Sequence, residues 1–377
     1  MPAMKRPRPP TREPRAEPGT ETPTPPVRPS VRFVTVGEEE HGQRLDNFLI
    51  KHMKGAPKSL IYKVLRKGEV RVNKGRVKPE YRIKEGDVVR LPPMRLAEST
   101  EPGVISAGLK RRLEDSILYE DNSLIVINKP AGLAVHGGSG VNLGLIEALR
   151  QTRPEAKLLE LVHRLDRETS GCLLIAKKRS ALRQLQDALR NHQVSKTYIA
   201  LVKGHWPKRK TFIESKLEKF ELASGERRVK TSEDGKLSRT EFKVIDYYET
   251  GGVECTLVEA KPVTGRTHQI RVHAQSIGCP LVCDDKYADD AFNELMQKKG
   301  FKRLFLHAAK LSFPLPVAGD DKETKNKIPE IKTIEAILPD DLRIPLEKLN
   351  PHLASPLSGG GIEHIPPGKG GQRGVKK

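Results

Sequence analysis

The sequence predicts an α+β fold. A mixed or antiparallel sheet fills a large carboxy-terminal domain, and a small, strongly basic domain precedes it. Three observations predict this. From Asp115 onward, short strand-like and helical runs mix without a regular strand–helix–strand rhythm, which argues against a doubly wound sheet. Before them, two apolar stripes at helical spacing lead into a turn flanked by β-branched residues. The chain has 377 residues, enough for two or three domains of ordinary size.

Residues 1–30 carry ten prolines and six Lys/Arg with almost no large apolar side chain, too little to offset the entropy of ordering. They are expected to form a disordered basic arm. Over residues 31–95 a folded basic domain is expected. Leu45, Phe48, Leu49 and Met53 recur at helical spacing, and Leu60, Ile61, Val64 and Leu65 repeat the pattern after Gly55 and Pro57. Gly68 ends that second helix. Val70, Arg71 and Val72, the turn Asn73-Lys74-Gly75, and Arg76-Val77 read as strand, turn and strand. Residues 96–113 lose all periodicity and read as a linker.

Residues 114–345 form the larger domain. Residues 117–119 and 124–127, parted by Asp121-Asn122, make a hairpin. Residues 143–150 read as a helix, and Leu182, Leu185 and Leu189 mark another. A strand follows around residues 198–202, then a second at 252–259, a turn at Thr264-Gly265 and a short helix over 268–276. The remainder, 346–377, is expected to be a flexible tail; seven glycines and a Lys/Arg-tipped end lie within 355–377.

Lys+Arg number 68 against 48 Asp+Glu, a formal net charge of +20. Such a balance favours a polyanionic partner. It peaks between Lys51 and Lys84, where twelve Lys/Arg face two Glu. Lys58, Lys63, Arg66 and Lys67 fall largely off the apolar stripe of the second helix and can share one exposed face. Together with Arg71 they read as an RNA or DNA contact; a merely solvated face is the alternative. No apolar run approaches the ~20 residues of a membrane span, and the first thirty residues hold no hydrophobic signal core. Four cysteines are too sparse for a disulfide framework and fit a reducing cytosol. A cytoplasmic protein is expected.

Several chemistries lose their signatures. Gly137-Gly138-Ser139-Gly140 is not followed by Gly-Lys-Ser/Thr, so no nucleotide P-loop is read there, and Leu143 stands where a third dinucleotide-fingerprint glycine belongs. Cys279 and Cys283 lack a second ligand pair for zinc. No metal helix and no serine nucleophile elbow is present.

What remains is Leu161-Val162-His163-Arg164-Leu165-Asp166-Arg167-Glu168-Thr169-Ser170-Gly171, leading into the apolar strand 172–176. An acidic residue between two basic ones sits on a turn joining two buried-looking runs. On spacing alone it reads equally as a reactive carboxylate or as an Asp that caps its own turn with Thr169 and Ser170. The string His-Arg-Leu-Asp-x-x-Thr-Ser-Gly resembles the signature of the RluA-type pseudouridine synthases. Lys196-Thr197-Tyr198-Ile199-Ala200-Leu201-Val202-Lys203-Gly204 resembles their second motif. Thr264-Gly265-Arg266-Thr267-His268-Gln269-Ile270-Arg271-Val272-His273 resembles their third. The basic amino-terminal segment is similar to the alpha-L RNA-binding motif of ribosomal-protein type. The resemblance spans about residues 31–345 and is nearest the C-type that acts on bacterial large-subunit (23S) ribosomal RNA, through Pro57-Lys58-Ser59, the 68–75 string and Val135-His136-Gly137-Gly138-Ser139-Gly140.

The resemblance implies a pseudouridine synthase catalytic domain, an enzyme that isomerises uridine and needs no metal, no nucleotide and no other cofactor. Its partner would be 23S RNA or the assembling large subunit, with no membrane and a monomeric chain. Asp166 would attack C1′ or the base, or remove the C2′ proton; the residues do not choose among these. Arg271 would be the buried ion-pair partner of Asp166, with a phosphate contact as its alternative. Tyr198 would stack on the flipped uracil, with a core tyrosine as its alternative. Arg164 would help open the RNA or simply pair with an Asp. Ile270 would pack near the ring, and His163, Thr169 and Gly171 would shape the turn.

Overall fold

The computed structural model describes residues 30–53, 56–93, 104–137, 143–317 and 329–349. Residues 1–29 of the expected arm, most of the expected tail and Gly138-Ser139-Gly140 lie outside them. The chain divides into two compact units at Thr100/Glu101.

In the first unit β1 (Arg32–Thr35), α1 (Leu45–His52), α2 (Lys58–Lys67), β2 (Arg71–Val72) and β3 (Val88–Leu91) follow in order. The antiparallel sheet runs β1-β3-β2. Both helices turn their expected apolar stripes inward, so Leu45, Phe48, Leu49, Ile61 and Val64 form one core with Val72 and Val89. Gly68, at φ +71, terminates α2 in the left-handed conformation that a side chain would resist. Asn73 and Lys74 both have positive φ, as a tight two-residue turn demands. The expected return strand at Arg76-Val77 does not form. Only a single bridge joins Val72 to Gly75, and β3 takes the place beside β2. The reason is Asn73, whose side chain accepts the Val88 N–H and donates to Asp87, both at 2.8 Å, tying the turn to a later segment.

The second unit contains α3 (Ala107–Asp115), β4 (Ile117–Glu120), β5 (Leu124–Lys129), α4 (Leu145–Thr152), β6 (Glu160–Leu161), β7 (Ser170–Ala176), α5 (Arg179–Arg190) and β8 (Ser195–Lys203). Then come β9 (Phe212–Glu221), β10 (Arg227–Thr231), β11 (Lys236–Thr250), β12 (Val253–Pro262), α6 (Gln269–Ser276), α7 (Asp290–Lys298), β13 (Leu306–Pro314), β14 (Ile331–Glu335) and α8 (Asp340–Leu349). One sheet runs β10-β9-β11-β12-β8-β13-β7-β5-β4, with β14 beside β13 and β6 beside β7. β7 and β13 are parallel and the other pairs antiparallel, so the sheet is mixed, as expected.

Two boundaries differ from the sequence reading. Residues 96–103 of the expected linker lie outside the described residues, and 107–113 belong to α3, capped by the Ser106 side chain on the Leu109 N–H. It anchors through a single fully buried residue, Leu113, too few for a visible stripe. Residues 346–349 of the expected tail belong to α8, which runs through Pro345 and buries Leu346 and Leu349 against the sheet.

Alternation along the central strands decides where the site lies. Tyr198, Ala200 and Val202 of β8 face the cluster that contains Leu165 and Ile270. Ile199 and Leu201 face the opposite side, where Phe292 and Met296 of α7 and Leu342 of α8 cover them. Every residue of β7 is buried, as a central strand covered on both faces requires.

Candidate active site

Asp166 lies on the turn between β6 and β7, and that turn is held from several sides. Val162 donates to the Leu174 carbonyl at 3.0 Å, and the Leu174 N–H donates to His163 Nε2 at 3.2 Å. A nitrogen that accepts a main-chain N–H stays unprotonated, and burial pushes this imidazole down to about 3. Leu165 points into the core. Arg167 exchanges hydrogen bonds with Gly132, its carbonyl accepting at 2.9 Å and its Nε donating at 3.0 Å. Beneath the turn Lys129 is fully buried, and its Nζ donates to the carbonyls of Pro130, Leu133 and Arg167 at 2.8–3.0 Å. Burial pushes the amine down to about 7, whereas three acceptors match the three N–H bonds of its protonated form.

Thr169 closes the turn by donating to the main-chain carbonyl of Asp166 at 3.2 Å. Ser170 turns away, its hydroxyl 2.9 Å from His307 Nδ1. The Asp166 carboxylate therefore projects outward, about one-fifth exposed, and faces His268 Nε2 at 3.8 Å.

The sheet brings the second motif to it. β13 pairs His307 with Ile199 and Lys310 with Thr197, so two residues of β13 bulge opposite the single residue Tyr198. On its other edge β13 pairs Ala308 with Gly171. Tyr198 is buried, and burial pushes its phenol well above its usual value. The third motif supplies α6. Gln269 is buried with every polar position used: its Oε1 accepts from Thr264 and Arg266, and its Nε2 donates to the Arg239 carbonyl and Thr240. That fixes the 264–269 turn against β11 and brings Ile270 and Arg271 to the recess.

Asp166, Tyr198, Arg164, Ile270 and Arg271 line one recess of about 90 Å³, together with Lys196 and His268. That is far below the ~300–1,000 Å³ of ordinary small-molecule pockets and suits one inserted ring. Arg164 is exposed at its edge and also lines an adjoining groove of about 720 Å³ with Arg190, Lys261 and Arg266.

One expectation fails. Arg271 does not pair with Asp166. Its guanidinium grips Asp284, Nε to Oδ2 at 2.7 Å and Nη2 to Oδ1 at 2.5 Å, and reaches Asp285 at 3.3 Å. Burial opposes the guanidinium charge, and the Asp284 carboxylate more than offsets it. Asp284 is itself fully buried and also accepts the N–H groups of Lys286 and Tyr287. A buried pair persists when its remaining lone pairs are satisfied, and here they are.

In the first unit, Lys63, Arg66 and Lys67 are exposed on one side of α2. The Lys58 side chain lies outside the described set. Arg71 braces its own turn, donating to the carbonyls of Gly68 and Lys74 at 3.3 Å each.

Sequence reasoning missed Asp284, Tyr287, Lys129, Lys196 and His268 as parts of the site. Lys196 and His268 stand inside the second and third motif strings and could have been weighed. Asp284 lies thirteen residues beyond Arg271 with no spacing signal. Lys129 reads as the polar end of an apolar strand.

Residues 123–276 match the family described as RNA pseudouridylate synthase, and residues 43–89 match the S4 domain. The chain is 56% identical over 296 residues to the ribosomal large subunit pseudouridine synthase C of Haemophilus influenzae, covering 78% of this chain and 90% of that protein. It is 51% identical over 325 residues to the protein of the same name from Escherichia coli strain K12, covering 85% and 97%. Among solved structures, human RNA pseudouridylate synthase domain containing 4 aligns at a TM-score of 0.50 with 27% identity, over 64% of this chain and 95% of that one.

Proposed function

The chain belongs to the RNA pseudouridylate synthase family, and from that premise we propose that it isomerises uridines of large-subunit ribosomal RNA to pseudouridine, with Asp166 as the reacting carboxylate. The reaction breaks the N1–C1′ bond, turns the base and forms a C5–C1′ bond. N1 gains a proton, C5 loses one, and no net redox change occurs, so the chain is read as working without metal or cofactor.

The observation that carries this reading is the Asp166 carboxylate itself, one-fifth exposed in a recess beside Tyr198 and Ile270. A uridine inside RNA must leave its stack before C1′ or the base can be reached, and an aromatic wall partly replaces the stacking it loses. Tyr198 supplies that wall, and Ile270 supplies an apolar one. The turn is clamped by Lys129, Gly132 and Leu165, so Asp166 reacts from a fixed position, as pre-organised catalysis requires. Arg271, paired with Asp284, fixes the α6 end of the recess. Arg164 and Lys196 at the recess, with Arg190, Lys261 and Arg266 along the adjoining groove, suit the phosphates flanking the target. Lys63, Arg66 and Lys67 of α2 supply sequence-independent RNA affinity.

The names of the two bacterial relatives support large-subunit RNA as the target, and we take the chain to act as a monomer. Chemical mapping of pseudouridine along that RNA tests the target, in cells lacking the protein and complemented by wild type or Asp166→Asn. Positions restored by wild type alone are expected. No restored position in large-subunit RNA would move the target to another RNA.

A further inference from the structure

His268 stands in an unusual place. It is the N-cap of α6 with φ +52 and ψ 20, a left-handed conformation that few residues other than glycine adopt. Strain of this kind persists only where surroundings enforce it, and it clusters at working sites. What enforces it is visible. His268 Nδ1 lies 2.8 Å from the Tyr287 hydroxyl, and the two rings meet edge to face at 5.6 Å. The same hydroxyl accepts the Val229 N–H of β10 at 3.0 Å. The Arg271 guanidinium covers the Tyr287 ring at 5.1 Å from its centroid. A bare Nε2 would turn its lone pair on the Asp166 carboxylate, so the favoured arrangement has the Tyr287 hydroxyl donating to Nδ1 while it accepts from Val229. The ring proton of His268 then sits on Nε2, the atom that faces Asp166 Oδ2 at 3.8 Å.

We propose that His268 is a positioning residue for Asp166: held by Tyr287 in the Nε2–H tautomer, it donates to one carboxylate oxygen when RNA is bound and leaves the other free to react. The free enzyme holds the two atoms slightly too far apart for a hydrogen bond, and such contacts commonly tighten only in the substrate complex. His268 keeps its proton throughout, so the step needs no co-reactant. The proposal rests on Asp166 as the reacting group.

The charges around the ring give the arrangement a pH dependence. Burial holds the imidazole below its ordinary range. Asp166 from the β6–β7 turn and Asp284 from the segment after α6 favour its protonation, while Arg271 of α6 and Lys286 oppose it. Near neutrality the ring is an uncharged donor. In acid it becomes a cation that pairs with Asp166 and withdraws the carboxylate from reaction, so the rate falls on the acid side, at a pH below the ordinary range of a histidine.

The test is the single-turnover rate of tritium release from RNA carrying 5-tritiated uridine, followed against pH with RNA affinity measured in parallel. His268→Asn is the principal variant because asparagine tolerates the left-handed backbone. Tyr287→Phe removes only the hydroxyl that sets the tautomer. His268→Asn is expected to lower the rate about 10–100-fold with RNA affinity nearly unchanged, and to remove the acid limb. Tyr287→Phe is expected to lower the rate in the same direction. A rate within twofold of wild type, or a lowered rate with the acid limb intact, overturns the proposal. If His268→Asn does not fold, Tyr287→Phe decides by its rate: a rate within twofold of wild type overturns the proposal. Activity retained by Asp166→Asn would instead overturn the reading of Asp166, so the two failures are distinct.

Discussion

At Gly171 the chain has no room for a side chain. Its φ is +109, and a Cβ there would collide with the main-chain carbonyl and amide of Ala308 on β13. Those atoms cannot give way without breaking the parallel pairing of β7 with β13 that sets Asp166 and Tyr198 in one recess. Gly171→Ala is expected to lower stability by at least about 2 kcal/mol through strain and overpacking, read as the denaturant midpoint at constant slope. Gly132→Ala, also at positive φ but with open space around its Cβ position, is the comparison. A Gly171→Ala loss no greater than that of Gly132→Ala would contradict the packing argument. The glycine was legible as part of the signature but not its reason, because the neighbouring strand lies 137 residues away. Arg271 illustrates the same limit: its place at the recess could be read, whereas its partner Asp284 could be found only once the chain had folded.

At the scale of elements, α2 tests the assigned RNA role. Lys63, Arg66 and Lys67 share its exposed side while Ile61, Val64 and Leu65 are buried, so the charges can be removed without touching the core. The triple alanine variant is expected to weaken RNA binding across sequences and to flatten the dependence of log K on log salt by about 0.7–0.9 per lost phosphate contact. An unchanged slope in a titration with large-subunit RNA would remove this face from the interface. Both helices of this unit were legible, because their apolar residues recur at helical spacing. The β9–β11 hairpins were not. In β9 the two buried apolar residues, Ile213 and Leu217, lie four apart, a spacing that favours a helix, and lysines and glutamates occupy most positions between them. Only pairing with β10 and β11 makes that segment a strand.

Across the whole molecule, what could be read and what could not divide by range. Charge, the two-unit organisation and the mixed character of the sheet follow from composition and local periodicity. The order β8-β13-β7, which places Tyr198 and Asp166 on either side of a strand from much later in the chain, follows from neither. It is that order which gives the motifs a common recess and leaves Asp166 outward-facing, uncapped by Arg271. The central claim is that this carboxylate performs the isomerisation, and tritium release from large-subunit RNA carrying 5-tritiated uridine measures it most directly. Wild type is expected to release tritium, and Asp166→Asn is expected to release none above background while binding the RNA with nearly unchanged affinity. A residual Asp166→Asn rate within about tenfold of wild type, far above the loss expected when a reacting group is removed, would contradict the account.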